Sequence, residues 1–136
     1  MKVNVRIPLA VIATAILASC ASQQPYMTSR TVTASPPETV YNCALNFVVS
    51  RGYTVESANK ESGFFKAVRS ERKGASSIHW GQTVNEELTI VVLPAQPIKL
   101  QVTAAANISE GRGLRLLEPT PEARGDADNV LATCAK

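Results

Sequence analysis

The chain has 136 residues, with 14 Lys and Arg against 11 Asp and Glu for a formal charge of +3. That length supports one domain with a single core of ordinary size, and so small a charge excess does not generate the field that nucleic-acid binding requires. One histidine and three cysteines leave few ligands for a transition-metal centre.

Lys2 and Arg6 precede a mostly apolar run from Ile7 to Leu17, too short to span the roughly 30 Å hydrocarbon core of a bilayer as a helix. A positive start, a short apolar middle and small residues at its end are the features of an export signal. The run closes on Leu17-Ala18-Ser19-Cys20, which resembles the lipobox of bacterial lipoproteins, whose cysteine takes a diacylglycerol and becomes the first mature residue. The expectation is a signal peptide over 1–19, a lipidated Cys20 and polar tether over 20–29, and one domain over 30–136. Ala21 in place of an aspartate implies, in the enterobacterial pattern, transfer to the outer membrane, with the domain facing the periplasm. Lys2 and Arg6 leave with the signal, so 12 basic residues face 11 acidic ones, a net charge of +1. The membrane is an expected partner through the diacylglycerol, and nucleic acid is not.

With Cys20 lipidated, Cys43 and Cys134 remain in a compartment where disulfides form and persist. One intramolecular pairing is left, with two free buried thiols as the alternative.

In chain order, "TVTAS" is a possible first strand. "SPPE" places Ser35 as a helix cap, Pro36 at the first helical position and Glu38 to return a hydrogen bond to the cap. Val40, Ala44, Phe47 and Val48 recur at helical spacing, and Gly52 stops the helix. "YTVES" alternates, with Tyr53 and Val55 on one face, and "NKESG" turns into a second strand, "FFKAVRSER". The loop "KGASSIHWGQ" from Lys73 to Gln82 holds the chain's single histidine and tryptophan. "EELTIVVLP" reads as a central strand apolar on both faces, and "PIKLQVTAAANI" alternates with Leu100, Val102, Ala104, Ala106 and Ile108 on one side, so one sheet face is wet. "EGRG" is a turn, "LRLLE" a short edge strand, and "DADNVLATCAK" an aspartate-capped helix carrying Val130, Leu131 and Cys134.

This order predicts an α+β, two-layer domain: an antiparallel sheet of about four to five strands with two helices on one face. Joining Cys43 to Cys134 sets those helices side by side, because a disulfide needs Cα atoms within about 7 Å. The run "ETVYNCALNFVVSRGYTVESANKESGFFKAV", about a quarter of the chain, resembles the helix, strand, strand unit of the helix-grip domains in BamC, a lipoprotein of the outer-membrane β-barrel assembly machinery. The resemblance implies a helix-grip-like fold and a partner-binding role in outer-membrane assembly or maintenance.

No residue pattern makes a catalytic site. His79 is the only possible imidazole base, and Ser76 and Ser77 lie too near it in a flexible loop to build a nucleophile geometry. Glu86 and Glu87 are adjacent on a strand and point to opposite faces. Asn107-Ile108-Ser109 fits the glycosylation pattern but is a chance match in a bacterial lipoprotein. The expectation is a non-enzymatic module with no cofactor and no metal, whose partner is an envelope protein. Its candidate contacts are His79 and Trp80, with Arg69, Arg72 and Lys73 as a local basic group. The alternative is a module that binds a lipid or other apolar ligand between helix and sheet, where Ala104, Ala105 and Ala106 leave room.

Overall fold

The computed structural model describes residues 23–74, 79, 81–111 and 113–136; the signal segment, Cys20, Ser76, Ser77 and Trp80 lie outside them. The elements are β1 (Tyr26–Val32), α1 (Pro37–Ser50), β2 (Thr54–Asn59), β3 (Phe64–Arg72), β4 (Thr83–Leu93), β5 (Ile98–Glu110), β6 (Gly113–Leu117) and α2 (Pro121–Cys134). All strand pairs are antiparallel, in the order β1-β5-β4-β3-β2, with β6 also on β5. The fold is α+β with an open sheet of six strands. β1 covers Ile98 to Ala104 of β5 and β6 covers Ala106 to Glu110 on the same side, so two short strands share one edge end to end.

β1 starts at Tyr26, inside the stretch whose polarity reads as tether. Its alternation is weak because an edge strand has little to bury: Val32 is buried, whereas Met27, Ser29, Arg30 and Thr31 are exposed. Proline rather than Ser35 caps α1. Pro36 takes the cap position with no side-chain hydrogen bond, Pro37 opens the helix, and Glu38 turns away to accept from Lys60 Nζ at 2.6 Å. A proline at the first position has no N–H to satisfy, so the cap hydroxyl is less needed. At the other end Gly52 has φ +83° and ends α1 as expected.

The β2–β3 hairpin forms as predicted, with a register shift between Val55 and Ser57. Its turn needs glycine at Gly63, where φ is +69° and an added Cβ would strike the Val92 carbonyl; Val92 N also donates to Gly63 O at 2.8 Å.

Period-two alternation sets the core. Val84, Glu86, Leu88, Ile90 and Val92 of β4 face the helices together with Leu100, Val102, Ala104, Ala106 and Ile108 of β5, and Phe65 and Ala67 of β3. β4 is central, but it is not apolar on both faces. Its outward side carries Asn85, Glu87, Thr89 and Val91, half-buried among neighbours that are also polar: Asn85 Nδ2 donates to Asn107 Oδ1 at 3.1 Å and Lys66 pairs with Glu87 at 2.9 Å. Ala105 belongs to that outer face. Ala104 and Ala106 point inward, and Ala104 shares the main core with Ala123 and Ala127 of α2, small residues that let helix and sheet approach closely.

α2 begins earlier than the aspartate-capped helix expected from "DADNVLATCAK". Thr120 is its cap, accepting from Ala123 N at 3.1 Å, and Pro121 is its first residue. Pro121 precedes the helix expected from sequence, yet proline suits the first helical position. Val40, Tyr41, Ala44 and Val48 of α1 and Ala123, Ala127, Val130 and Leu131 of α2 are buried against the sheet, and the Tyr41 ring meets Phe65 edge-on at 5.3 Å. Cys43 and Cys134 form a disulfide across the two helices, with Cα atoms 5.7 Å apart and 91 residues between them in sequence. Backbone adds to this closure, since Ala34 N donates to Lys136 O at 2.9 Å.

A bond closing so long a loop stabilises by about 2–5 kcal/mol. Replacing Cys134 by Ala is therefore expected to lower the denaturant midpoint by that equivalent, and reductant should lower the parent protein but not the variant. Equal midpoints with and without reductant in the parent would exclude a stabilising role for the bond.

Candidate functional site

Three charged side chains that sequence alone assigns to solvent come together between helices and sheet. Glu86 is fully buried because it occupies the inward phase of β4, between Val84 and Leu88. Arg69, directly opposite on β3, donates to Glu86 Oε2 from Nε at 2.9 Å and from Nη2 at 2.5 Å. Thr120 Oγ1 donates to Glu86 Oε1 while accepting from Ala123 N, so one hydroxyl joins the buried carboxylate to the start of α2. Lys73 Nζ approaches Oε1 at 3.8 Å. On the other side of Arg69 lies buried Asp126 of α2, 3.2 Å from Nη1. Asp126 also accepts from Arg51 Nε at 2.9 Å and from the Tyr53 hydroxyl at 3.2 Å. Arg69 stacks over the Tyr53 ring at 4.4 Å and donates from Nη1 to the Arg51 carbonyl at 3.0 Å.

The helix ends explain the placement of the charges. The guanidinium sits at the carbonyl end of α1, where positive charge is favoured, and the Glu86 carboxylate sits at the N–H end of α2, where negative charge is favoured. Among the described residues no buried side-chain polar atom lacks a hydrogen-bond partner, the condition under which buried ion pairs are tolerated. Burial works against the charged form of Arg69, but hydrogen bonding to Glu86 and the nearby carboxylates outweigh it and hold its pKa above the ordinary arginine value. Lys73 behaves alike: burial is outweighed by Glu71 at 2.6 Å and by Glu86. Burial raises the Tyr53 phenol above the usual tyrosine range, with Arg69 opposing and Asp126 and Glu86 adding.

Above this network a cleft of about 680 Å3 opens between the β3–β4 hairpin, the connection from β6 to α2 and the first turn of α2. Lys73 and Arg115 line it together with Glu71, Glu118 and Glu122, with Val84, Leu117 and Pro119 supplying apolar wall. His79 stands at its hairpin side, its Nδ1 3.2 Å from Gln82 Oε1. The hairpin end is closed by Lys73 N donating to Gln82 O at 2.9 Å and Gly81 N to Lys73 O at 3.0 Å. A shallower groove of about 280 Å3 reaches the network from the other side, past Arg51, Gly125 and Asn129.

The structure divides the residues singled out from sequence. His79 and Lys73 share the cleft. Arg69 and Arg72 do not form a common basic surface, because they alternate across β3: Arg69 turns inward onto Glu86 and Asp126, whereas Arg72 is exposed at the strand end. Lys73 is ion-paired. The local basic group is thus two neutralised cations and one exposed arginine. Glu86, Asp126 and Thr120 were not legible as site residues, although phase offered a signal: Glu86 keeps step with Leu88, Ile90 and Val92, and Asp126 with Ala123 and Val130. Among the described residues, no cluster of three or more His, Cys, Asp or Glu could hold a metal ion.

No protein-family model matches the chain, and no curated protein does. Among solved structures, the chain is similar to a DUF4468 family protein from Bacteroides ovatus, at 11% identity and a TM-score of 0.49, with 68% of this chain and 59% of that one covered. The chain therefore spans about three-fifths of that protein's length.

Replacing Arg69 by Met leaves Glu86 buried without its principal partner and is expected to cost about 3–5 kcal/mol in urea titration, while adding Glu86→Leu should restore part of that loss. A double variant no more stable than Arg69→Met would refute the coupling. Because the folded chain holds the Tyr53 proton more tightly than the unfolded chain, its contribution is complete below about pH 10 and is lost as pH rises beyond it. Tyr53→Phe should flatten the alkaline limb of the stability curve by up to about 1.4 kcal/mol per pH unit, measured by chemical denaturation between neutral and alkaline pH.

Proposed function

We propose that the chain is a non-enzymatic, lipid-anchored module of the bacterial envelope that holds a partner protein at the periplasmic side of the outer membrane. The observation that carries the reading is Leu17-Ala18-Ser19-Cys20 at the end of a short apolar run, in the place of a lipobox. The Cys43–Cys134 disulfide supports export, since such bonds persist in oxidising compartments. Two helices packed on one face of an antiparallel sheet support kinship with helix-grip domains of the BamC type, and with it a role in outer-membrane assembly or maintenance. No helix among the described residues is long and apolar enough to cross a membrane.

The cleft beside His79 is the surface that suits a partner. It is roomy, it mixes charges of both signs with apolar wall, and it is backed by a network that fixes its walls in place. Trp80, next to His79 in sequence, is the candidate aromatic contact, a residue type enriched at binding centres. The alternative of an apolar ligand between helix and sheet receives less support, because Phe65, Leu88, Ile90, Leu100, Val102, Val48 and Val130 fill that space without exposed surface.

Two measurements test the reading. Cys20→Ala is expected to move the protein from the membrane to the soluble fraction with its denaturant midpoint unchanged; membrane retention of the variant would reject the lipobox. A photo-crosslinker in place of His79 or Glu122 should yield a discrete adduct in membranes, and one at Thr89 on the outer sheet face should not. The reverse pattern would move the partner surface to the sheet.

A further inference from the structure

The two edges of the open sheet differ. β2, at one edge, is bulged, and apart from half-buried Val55 its residues are exposed and mostly polar, features that discourage association through a strand edge. The opposite edge, made by β1 and β6, presents Met27, Leu116 and Leu114, which are 63%, 61% and 67% exposed. Their register partners on β5 are Thr103, Asn107 and Ser109. All three therefore share one phase of the pleat and stand in a row along the outer, helix-free face.

The chain entering this edge limits what can lie beside it. Gln23 lines the cleft together with Arg115 and Leu117 of β6. Cys20 is three residues before Gln23, a reach of about 11 Å even when fully extended. If Cys20 carries diacylglycerol, its Cα stays within about 11 Å of Gln23, which puts the lipid on the side of the domain where Gln23 and β6 share the cleft. β2 lies at the opposite edge of the sheet.

We propose that the β1–β6 edge is seated on the bilayer that holds the anchor, with Leu114, Leu116 and Met27 entering the interfacial region between headgroups and acyl chains. This rests on the lipobox reading. The contact adds buried apolar area to that of the acyl chains, and it turns the neighbouring cleft toward the membrane surface, where a membrane-bound partner would present itself.

The test uses the full lipidated chain in vesicles of phosphatidylethanolamine and phosphatidylglycerol doped with dibrominated phosphatidylcholine, whose bromines quench tryptophan at the interface. In a Trp80→Phe background, Leu116→Trp and, separately, Met27→Trp report on the edge, and Val49→Trp, exposed on α1, reports on the helix layer. Both edge reporters are expected to lose about half of their fluorescence relative to unbrominated vesicles, consistent with a contact seated at the headgroup boundary, while Val49→Trp is unchanged. Unquenched edge reporters in a chain that still floats with the vesicles would overturn the seating and leave the anchor reading standing. Equal quenching at all three positions would also overturn it, since no edge is then selected. A lipidation-competent chain that does not float would overturn both.

Discussion

The Arg69–Glu86 pair is the interaction on which the rest of the arrangement depends. It joins β3 to β4 at directly opposed positions, but its larger effect is on the helices. Arg69 donates to the Arg51 carbonyl that caps the end of α1 and pairs with the Asp126 carboxylate of α2, and Glu86 receives the cap hydroxyl of α2. Two helix ends of opposite polarity thus meet two side chains of opposite charge. Removing Arg69 leaves Glu86 in a fully buried position without its principal partner, and that asymmetry makes the network a strong constraint on geometry even where its net contribution to stability is modest.

At the far end of the helix pair the disulfide performs the complementary task. α1 enters near Ala34, which is bound to Lys136 through the backbone, and Cys43 is bound to Cys134 at the close of α2. The helices are consequently fixed at both ends, by ion pairs near Arg51 and Asp126 and by covalent and backbone bonds near Cys134. Between these points the sheet face is filled with branched and aromatic side chains on β3, β4 and β5 and alanines where α2 comes closest. A core closed in this way leaves surfaces, and not an interior, for binding.

Those surfaces are unequal. On the outer sheet face Ser70, Asn85 and Asn107 are hydrogen-bonded to one another and Lys66 is paired with Glu87, so these polar groups have partners before any other molecule arrives. The cleft near His79 carries unequal numbers of acidic and basic groups around apolar walls, and the β6 edge carries exposed leucines next to the point where the chain enters the domain. Cleft and edge adjoin through Arg115 and Leu117.

Much of this was legible in the amino-acid order, and the limits of legibility have a physical cause. The alternation from Leu100 to Ile108, the glycine stop at Gly52 and the β2–β3 hairpin are encoded locally, because a strand with one buried face must alternate, whereas the Cys43–Cys134 pairing follows from counting only when Cys20 is set aside as the lipobox cysteine. The beginning of β1 and the true cap of α2 were hidden, since an edge strand need not alternate and a proline looks the same whether it breaks a helix or opens one. Residue type alone does not separate Glu86, Asp126 and Arg69 from charged residues that stay at the surface. What decided their role was tertiary structure alone: partners 17 residues apart for Arg69 and Glu86 and 75 apart for Arg51 and Asp126, brought together only when β3, β4 and both helix ends converge, offset the loss of water that would otherwise keep each of them outside.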